Sequence, residues 1–382
     1  MRRFSPSILR PALSMTRYRL AAAASLGAVT ITWSRRVLLA SGIAAVIGCA
    51  ACSAGSSPPG NSGGPPAPVT LTLGVPDAAG TPAESADITF FARLVRQLSD
   101  GRMTIRIMWE VSPATNAEPA TAALVRAGTV DLGWIGARAW DTLGVRSFQA
   151  LQAPFLIDSY PLLDAVLRSP MASDMLAGLN RAGYTGLGLY PDQLRHPAGF
   201  RKPLATLREL RGARIRVQAS RASEALFRAL GAVPVHLNGS AFSDAVSAGT
   251  VDGADASAVI AATSGGKFLT GNITFYPKTT TLFADTGRFA RLSVSQQRVL
   301  RSAARRTLAF ALAVPAEPGG VTPFCAAGGK VVTASQPTVD AIGRAAQPVY
   351  AYLEQDPQTK AFIRQIQQMK QRFPAPVPVA AC

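Results

Sequence analysis

The sequence predicts an α/β fold of two lobes, and two observations carry that prediction. From Val69 onward, short β-type runs alternate with stretches of helical periodicity, the rhythm of parallel strands joined by crossover helices. At 382 residues the chain also exceeds the usual single-domain size, which favours two lobes of roughly 150 residues each. A composition of 48% hydrophobic and 16% charged residues supplies enough apolar surface for a core, and so excludes a disordered chain.

The elements follow in order. Val69–Val75 is a β-type run. Ile88, Phe91, Val95 and Leu98 then recur at helical spacing, and Asp100-Gly101 stops that helix. Thr104–Trp109 reads as a strand because Ile105, Ile107 and Trp109 alternate with Thr104, Arg106 and Met108. A helix over 119–128 leads to a strand over 131–135. The second half repeats the rhythm, with strand 213–218, helix 220–230, strand 233–237, helix 240–249 and a further run at Val251–Asp255. Ser293 and Gln296 suit a capping box for a helix reaching about residue 313. Asp356 and Pro357 set the N-cap and first position of the last helix, which carries Phe362, Ile363, Ile366, Met369 and Phe373 on one face.

The first 48 residues read as an export signal. Ser34-Arg35-Arg36-Val37-Leu38-Leu39 looks like a twin-arginine motif, and the apolar run Val37–Ile47 is too short for a permanent membrane span. Val46-Ile47-Gly48-Cys49 resembles a lipobox, in which Cys49 is lipidated and becomes the mature N-terminus; Cys52 fits that pattern less well. A second apolar run at 20–33 points to a start codon downstream of Met1. One kinked anchor over 20–48 is the alternative, and Arg35-Arg36 would be costly within it. Residues 49–68 form a Gly/Pro/Ser-rich linker. The G-x-S-x-G match at Gly60–Gly64 lies in that linker without the strand and helix a nucleophile elbow needs.

The formal charge is +17, but residues 1–48 hold seven Arg and no acid, leaving 17 − 7 = +10 for the rest. Such a surface suits nucleic acid, membrane headgroups or an anionic solute, or reflects arginines scattered by codon usage. No basic run interleaved with aromatics marks a nucleic-acid groove. Beyond the lipobox only Cys325 and Cys382 remain, an even pair in an exported chain, and they are expected to form a disulfide pinning the Pro-rich tail. Two distant cysteines with His196 and His236 make no metal-ligand cluster, and the two histidines are assigned no role. With two His, no P-loop and no Rossmann glycine fingerprint, the sequence points away from an enzyme and implies no cofactor.

Three ordered pieces carry a resemblance: Leu210–Ser220 (LRGARIRVQAS), Ala229–Pro234 (ALGAVP) and Ala248–Gly253 (AGTVDG). Upstream, Ala127–Trp134 (AGTVDLGW), Gln152–Leu156 (QAPFL) and Gly101 fit the same pattern. Together, over about 69–370, they resemble the solute-binding proteins of tripartite ATP-independent (TRAP) transporters. The resemblance implies a periplasmic-binding-protein-like fold of two discontinuous α/β lobes, braced by a long helix, with a ligand cleft between them that closes by a hinge. The expected boundaries are lobe I at 69–192 and 279–315, lobe II at 193–278 and 316–373, and a tail at 374–382. It implies an extracytoplasmic, lipid-anchored receptor for a small organic carboxylate, delivering it to membrane permease subunits. A sensing or scavenging receptor of the same fold, uncoupled from transport, is the alternative.

The resemblance also implies site residues. Arg216 matches the arginine that grips the ligand carboxylate, and its planar fork can hold both oxygens of one carboxylate. Whether Arg216 or its neighbour Arg214 faces inward is open. Arg195 falls where a second ligand-facing arginine is kept; otherwise it is a surface-loop arginine. Trp134 either walls the pocket or fills the core. Two departures stand out. The asparagine that usually braces the carboxylate-binding arginine is Ala256 here, with Asp255 as a possible substitute, and the aromatic usual before the 240–249 helix is Gly239.

Overall fold

The computed structural model describes residues 68–80, 85–114, 116–314 and 320–382. The export signal, Cys49 and the linker up to residue 67 lie outside the described residues. Among the described residues no helix is long and apolar enough to cross a membrane.

Ten strands build the sheet: β1 Val69–Gly74, β2 Met103–Met108, β3 Leu132–Gly136, β4 Tyr184–Gly199, β5 Arg214–Val217, β6 Val233–His236, β7 Gly253–Ala256, β8 Phe268–Thr270, β9 Tyr276–Asp285 and β10 Lys330–Val332. Their order is β2-β1-β3-β9-β4-β7-β5-β6, with β8 paired to β4 and β10. One half holds β1, β2 and β3 in parallel, and the other holds β5, β6 and β7 in parallel. These are the strands read from the sequence, each within a residue or two.

Between the halves run β4 and β9, and here the all-parallel expectation is corrected. β9 is antiparallel to both β3 and β4, so the sheet is mixed. Neither strand shows clean alternation. Gly186, Gly188, Pro191 and Pro197 interrupt β4, and its pairing with β9 shifts register between Gly186 and Gly188 and again between Pro191 and Leu194. The first part of β4 pairs with β9, and its last four residues pair with β7. Both strands therefore belong to the frame that joins the two lobes.

Helices cover the sheet as their apolar stripes require. The helix Ala86–Leu98 buries Ile88, Phe91, Leu94 and Val95. It ends where Asp100 and Gly101 both take positive φ (50° and 77°), and the Gly101 N–H returns to the Arg96 carbonyl at 2.8 Å. The long helix Val294–Ala311 packs on it, with Phe90 and Phe310 stacked at 4.1 Å between centroids. Its capping box is formed: Gln296 N–H donates to Ser293 Oγ (3.2 Å), and Ser293 N–H donates to Gln296 Oε1 (2.9 Å). Asp356 caps the last helix, Pro357–Lys370, through Thr359 N–H at 2.7 Å. The expected disulfide is present, joining Cys325 to Cys382, and the tail is further held by Val379 N–H donating to the Gly271 carbonyl (2.9 Å).

Candidate functional site

A cavity of about 620 Å³ opens between the two halves. Asp77, Asp87, Trp109 and Trp134 line it from the β1–β3 side. Asp192, Arg195 and Lys278 line it from the connecting strands, and Arg216, Gln218 and Phe242 from the β5–β7 side. The strand ends converge here because parallel strands in each half point their carboxyl ends into the gap, where such folds bind ligands.

Arg216 sits on β5 between Ile215 and Val217, and alternation sends it toward the cavity. Its Nε donates to the Leu237 carbonyl (2.7 Å) and its Nη2 to Asn238 Oδ1 (3.2 Å). The guanidinium lies 4.4 Å above the centre of the Phe242 ring. Burial, with Arg195 and Arg138 nearby, brings its pKa down to about 10, so it stays charged at neutral pH. Arg214 does the opposite: it pairs with Asp252 (Nε–Oδ2 3.1 Å) and bonds the Gly249 carbonyl, half-exposed and outside the cavity lining. Of the two arginines, it is Arg216 that lines the cavity.

The brace comes from a different place than expected. Asp255 accepts from Tyr276 Oη (2.7 Å), makes no hydrogen bond to Arg216, and is not part of the cavity wall. It acts on Arg216 only through space. Neighbours on β7 alternate faces, and Tyr276 at the start of β9 takes the carboxylate first. The partners that Ala256 and Gly239 cannot supply stand nearby instead: Asn238 bonds the guanidinium, and Phe242, one turn into the helix Gly239–Ala248, lies beneath it.

Arg195 is 3% exposed, lines the cavity, and has no side-chain hydrogen bond or ion pair among the described residues. It is not a surface-loop arginine. Leaving a buried cation unpaired is costly, and a ligand anion is the ordinary remedy. Trp134 serves in both ways considered: it lines the cavity while stacking on Tyr190 at 4.5 Å.

Sequence reasoning missed Lys278 and Asp192 on the connecting strands and Asp87 on the β1–β3 side. Lys278 Nζ pairs with Asp192 Oδ2 at 2.9 Å. Burial pushes the Asp192 carboxyl up, but Lys278 and Arg195 outweigh it and hold it below the usual range. Asp87 shows the reverse: burial, then the nearby Asp192 charge, pushes its carboxyl up to about 6. No local motif marks these residues, which lie on three separate segments. Below the site, the buried pair Arg138 Nη2–Glu118 Oε2 (2.5 Å) packs under Gly136, whose N–H donates to Glu118 Oε1 (2.9 Å). Any side chain at Gly136 would collide with that pair. His196 is buried against the Ile273 carbonyl (2.9 Å), and burial pushes its pKa down to about 4.

Comparisons with known proteins bear on the fold and the family. The C4-dicarboxylate-binding periplasmic protein DctP of Rhodobacter capsulatus is 30% identical over 113 residues, 30% of this chain and 34% of that protein. An uncharacterised Sinorhizobium fredii protein, y4mM, is 29% identical over 184 residues, 48% of this chain and 33% of the relative. The matched stretches thus span about a third of each of these curated relatives. Among solved structures, a TRAP periplasmic solute-binding protein from Bradyrhizobium with bound α/β-D-galacturonate superposes with a TM-score of 0.70 at 22% identity, covering 78% of this chain and 100% of that one. A Ralstonia eutropha counterpart with (S)-2-acetolactate gives 0.68 at 21%, covering 80% and 99%. One from Shewanella oneidensis with succinate gives 0.70 at 18%, covering 79% and 99%. At these identities the superpositions establish the two-lobed fold. The model of the bacterial extracellular solute-binding proteins, family 7, matches residues 76–356, and with that span the chain belongs to this family.

Proposed function

We propose that this protein captures a small organic carboxylate in the cavity between its lobes and delivers it to a TRAP-type membrane permease, held at the membrane by a lipid on Cys49. The observation that carries the reading is Arg195, a buried cation on the cavity wall whose side chain makes no hydrogen bond or ion pair among the described residues, beside Arg216, whose guanidinium is already oriented by Leu237 and Asn238. Two guanidinium groups in a sheltered gap suit a carboxylate, since each charged hydrogen bond contributes roughly 1.5–3 kcal/mol. The bound ligands of the structural neighbours, galacturonate, acetolactate and succinate, are all carboxylates. Closure of the lobes over the ligand would exclude water and strengthen these contacts.

The test is a thermal-shift screen of the purified protein against carboxylates, sulfonates, sugars and amino acids. At least one carboxylate is expected to raise the melting temperature of wild type but not of Arg216→Ala, because only native-state binding stabilises. Stabilisation by neutral sugars alone, unchanged in Arg216→Ala, would sink the reading.

A further inference from the structure

The charges lining the cavity run from one half to the other: Arg216 on the β5–β7 side, Arg195, Asp192 and Lys278 on the connecting strands, and Asp87 on the β1–β3 side. Arg216 feels Arg195, Arg195 acts on Asp192, and Asp192 acts on Asp87. Asp77 acts on Arg216 from across the gap, and the Lys278 ammonium is paired with Asp192. Asp87 stands on the β1–β3 side, and among the described residues no cation pairs with its carboxylate. Among the described residues its carboxylate accepts only from the backbone of its own turn, Ile88 N–H at 2.8 Å, and Lys278 reaches it only through space. Ser85, Ile88 and Trp134 line the same cavity.

We propose that Asp87 selects the far end of the ligand: the cleft takes a monocarboxylate whose other end carries hydroxyl or ammonium donors, and turns away a dicarboxylate of the same length. The inference rests on the carboxylate reading above. A ligand anchored through its carboxylate at Arg195 and Arg216 extends along the row toward Asp87. A hydroxyl or ammonium arriving there donates to an acceptor with free capacity. A second carboxylate would meet Asp87 and Asp192 as like charges in a sheltered site, with Lys278 already engaged. The raised titration of Asp87 agrees: its charge is held where folding alone does not favour it, as is common for groups that meet a ligand. The cavity, at about 620 Å³, has room for a six-carbon chain beyond the anchor.

Matched probes isolate the far end. Gluconate and glucarate share one carbon chain and differ only in a terminal hydroxyl against a carboxylate. 4-Hydroxybutanoate, 4-aminobutanoate and succinate repeat the comparison at four carbons, with the amine separating ammonium from hydroxyl donors. Calorimetry at pH 7.5 on the purified protein is expected to favour the donor-ended member of at least one set by about tenfold or more over its dicarboxylate. In Asp87→Asn that preference is expected to shrink to within about threefold, chiefly because the dicarboxylate binds better. The variant removes a charge that Asp192 opposes, so it is expected to fold. A dicarboxylate bound as tightly as its partner in wild type, a failure of every donor-ended acid to bind, or a preference unchanged in Asp87→Asn each overturns the inference. Arg216→Ala is the separate control: binding of all these acids must fall there if the anchor is right, whatever Asp87 does.

Discussion

Arg195 and Arg216 face the same cavity, yet replacing them should have different consequences. Arg216 is built into the fold by two hydrogen bonds and its place over Phe242, whereas among the described residues the Arg195 side chain makes no hydrogen bond or ion pair and acts on Asp192 only through space. Arg195→Met keeps most of the stem and removes the charge. In the ligand-free protein it relieves Arg216 of a like charge and deprives Asp192 of a favourable one, so the two effects oppose each other. A body of this size unfolds with an entropy of about 0.65 kcal/mol/K, so 1 kcal/mol moves the Tm by about 1.5 °C. The apo Tm of Arg195→Met should therefore stay within about 1.5 °C of wild type, while Arg216→Met, which orphans the Leu237 carbonyl, should fall by about 3 °C. Binding should respond in both. Losing one charged hydrogen-bonding group, about 2 kcal/mol, weakens affinity about 30-fold. A carboxylate at 100 times its wild-type Kd stabilises by about 2.7 kcal/mol, a shift of about 4 °C. The same concentration is about three times the Kd of Arg195→Met and should give a little over 1 °C. Scanning fluorimetry with and without ligand reads all of these. An apo Tm for Arg195→Met as low as that of Arg216→Met, or an undiminished ligand shift, would refute the assignment of Arg195 as an anchor waiting for an anion.

Two further outcomes follow from the fold and its titrating groups. The Cys325–Cys382 bond closes a loop with a sequence separation of 57 residues, so Cys382→Ser is expected to lower stability by about 4 kcal/mol in the chain-entropy account, seen as an earlier denaturant midpoint, with ligand affinity at 25 °C unchanged; equal midpoints with and without reductant would contradict this. Asp87 and His196 titrate in the same region with opposite effect. The Asp87 pKa is raised to about 6, so its ionisation costs stability as pH rises from 3.8 through 6, while the His196 pKa is lowered to about 4, so stability is lost as pH falls from 6.5 toward 4. Asp87→Asn should accordingly raise the apo stability at pH 8, by on the order of 1 kcal/mol because the carboxylate is partly exposed to the cleft, and should lose Tm more steeply than wild type between pH 6.5 and 4.5; parallel profiles would count against the Asp87 assignment, and a variant profile flat over that range would count against that of His196.

What the sequence made legible, and what it hid, divides along physical lines. That β5 brings an arginine to the cleft was readable, because the strand is short and embedded in an ordered run of motif pieces; that it is Arg216 and not Arg214 took the assembled sheet. The helix boundaries at Asp100-Gly101, Ser293 and Asp356 were readable because caps are local chemistry. β4 was not, since its prolines and glycines look like breaks until the bulges that accommodate them are seen against β9. The charge row was hidden for another reason: Asp87, Asp192 and Lys278 come together only when a helix start and two antiparallel strands are assembled. The substituted brace illustrates the same limit. A lost asparagine at position 256 is visible in one line of text, but that Asn238 stands in for it depends on the path of the loop after β6.

The placement of β9 also has a consequence for how the polypeptide acquires its structure. β3 is complete by residue 136, yet its outer neighbour in the sheet begins only at Tyr276, and the helix that covers the same core begins at Val294. Until nearly 300 residues have been made, the β3 edge and the part of the helix Ala86–Leu98 that meets Val294–Ala311 have no cover. The amino-terminal lobe therefore cannot finish folding while the chain is emerging, although its first segment appears early. Completion waits for a contact between strands some 150 positions apart, and such long-range pairing is slow and leaves an open strand edge exposed to aggregation in the meantime.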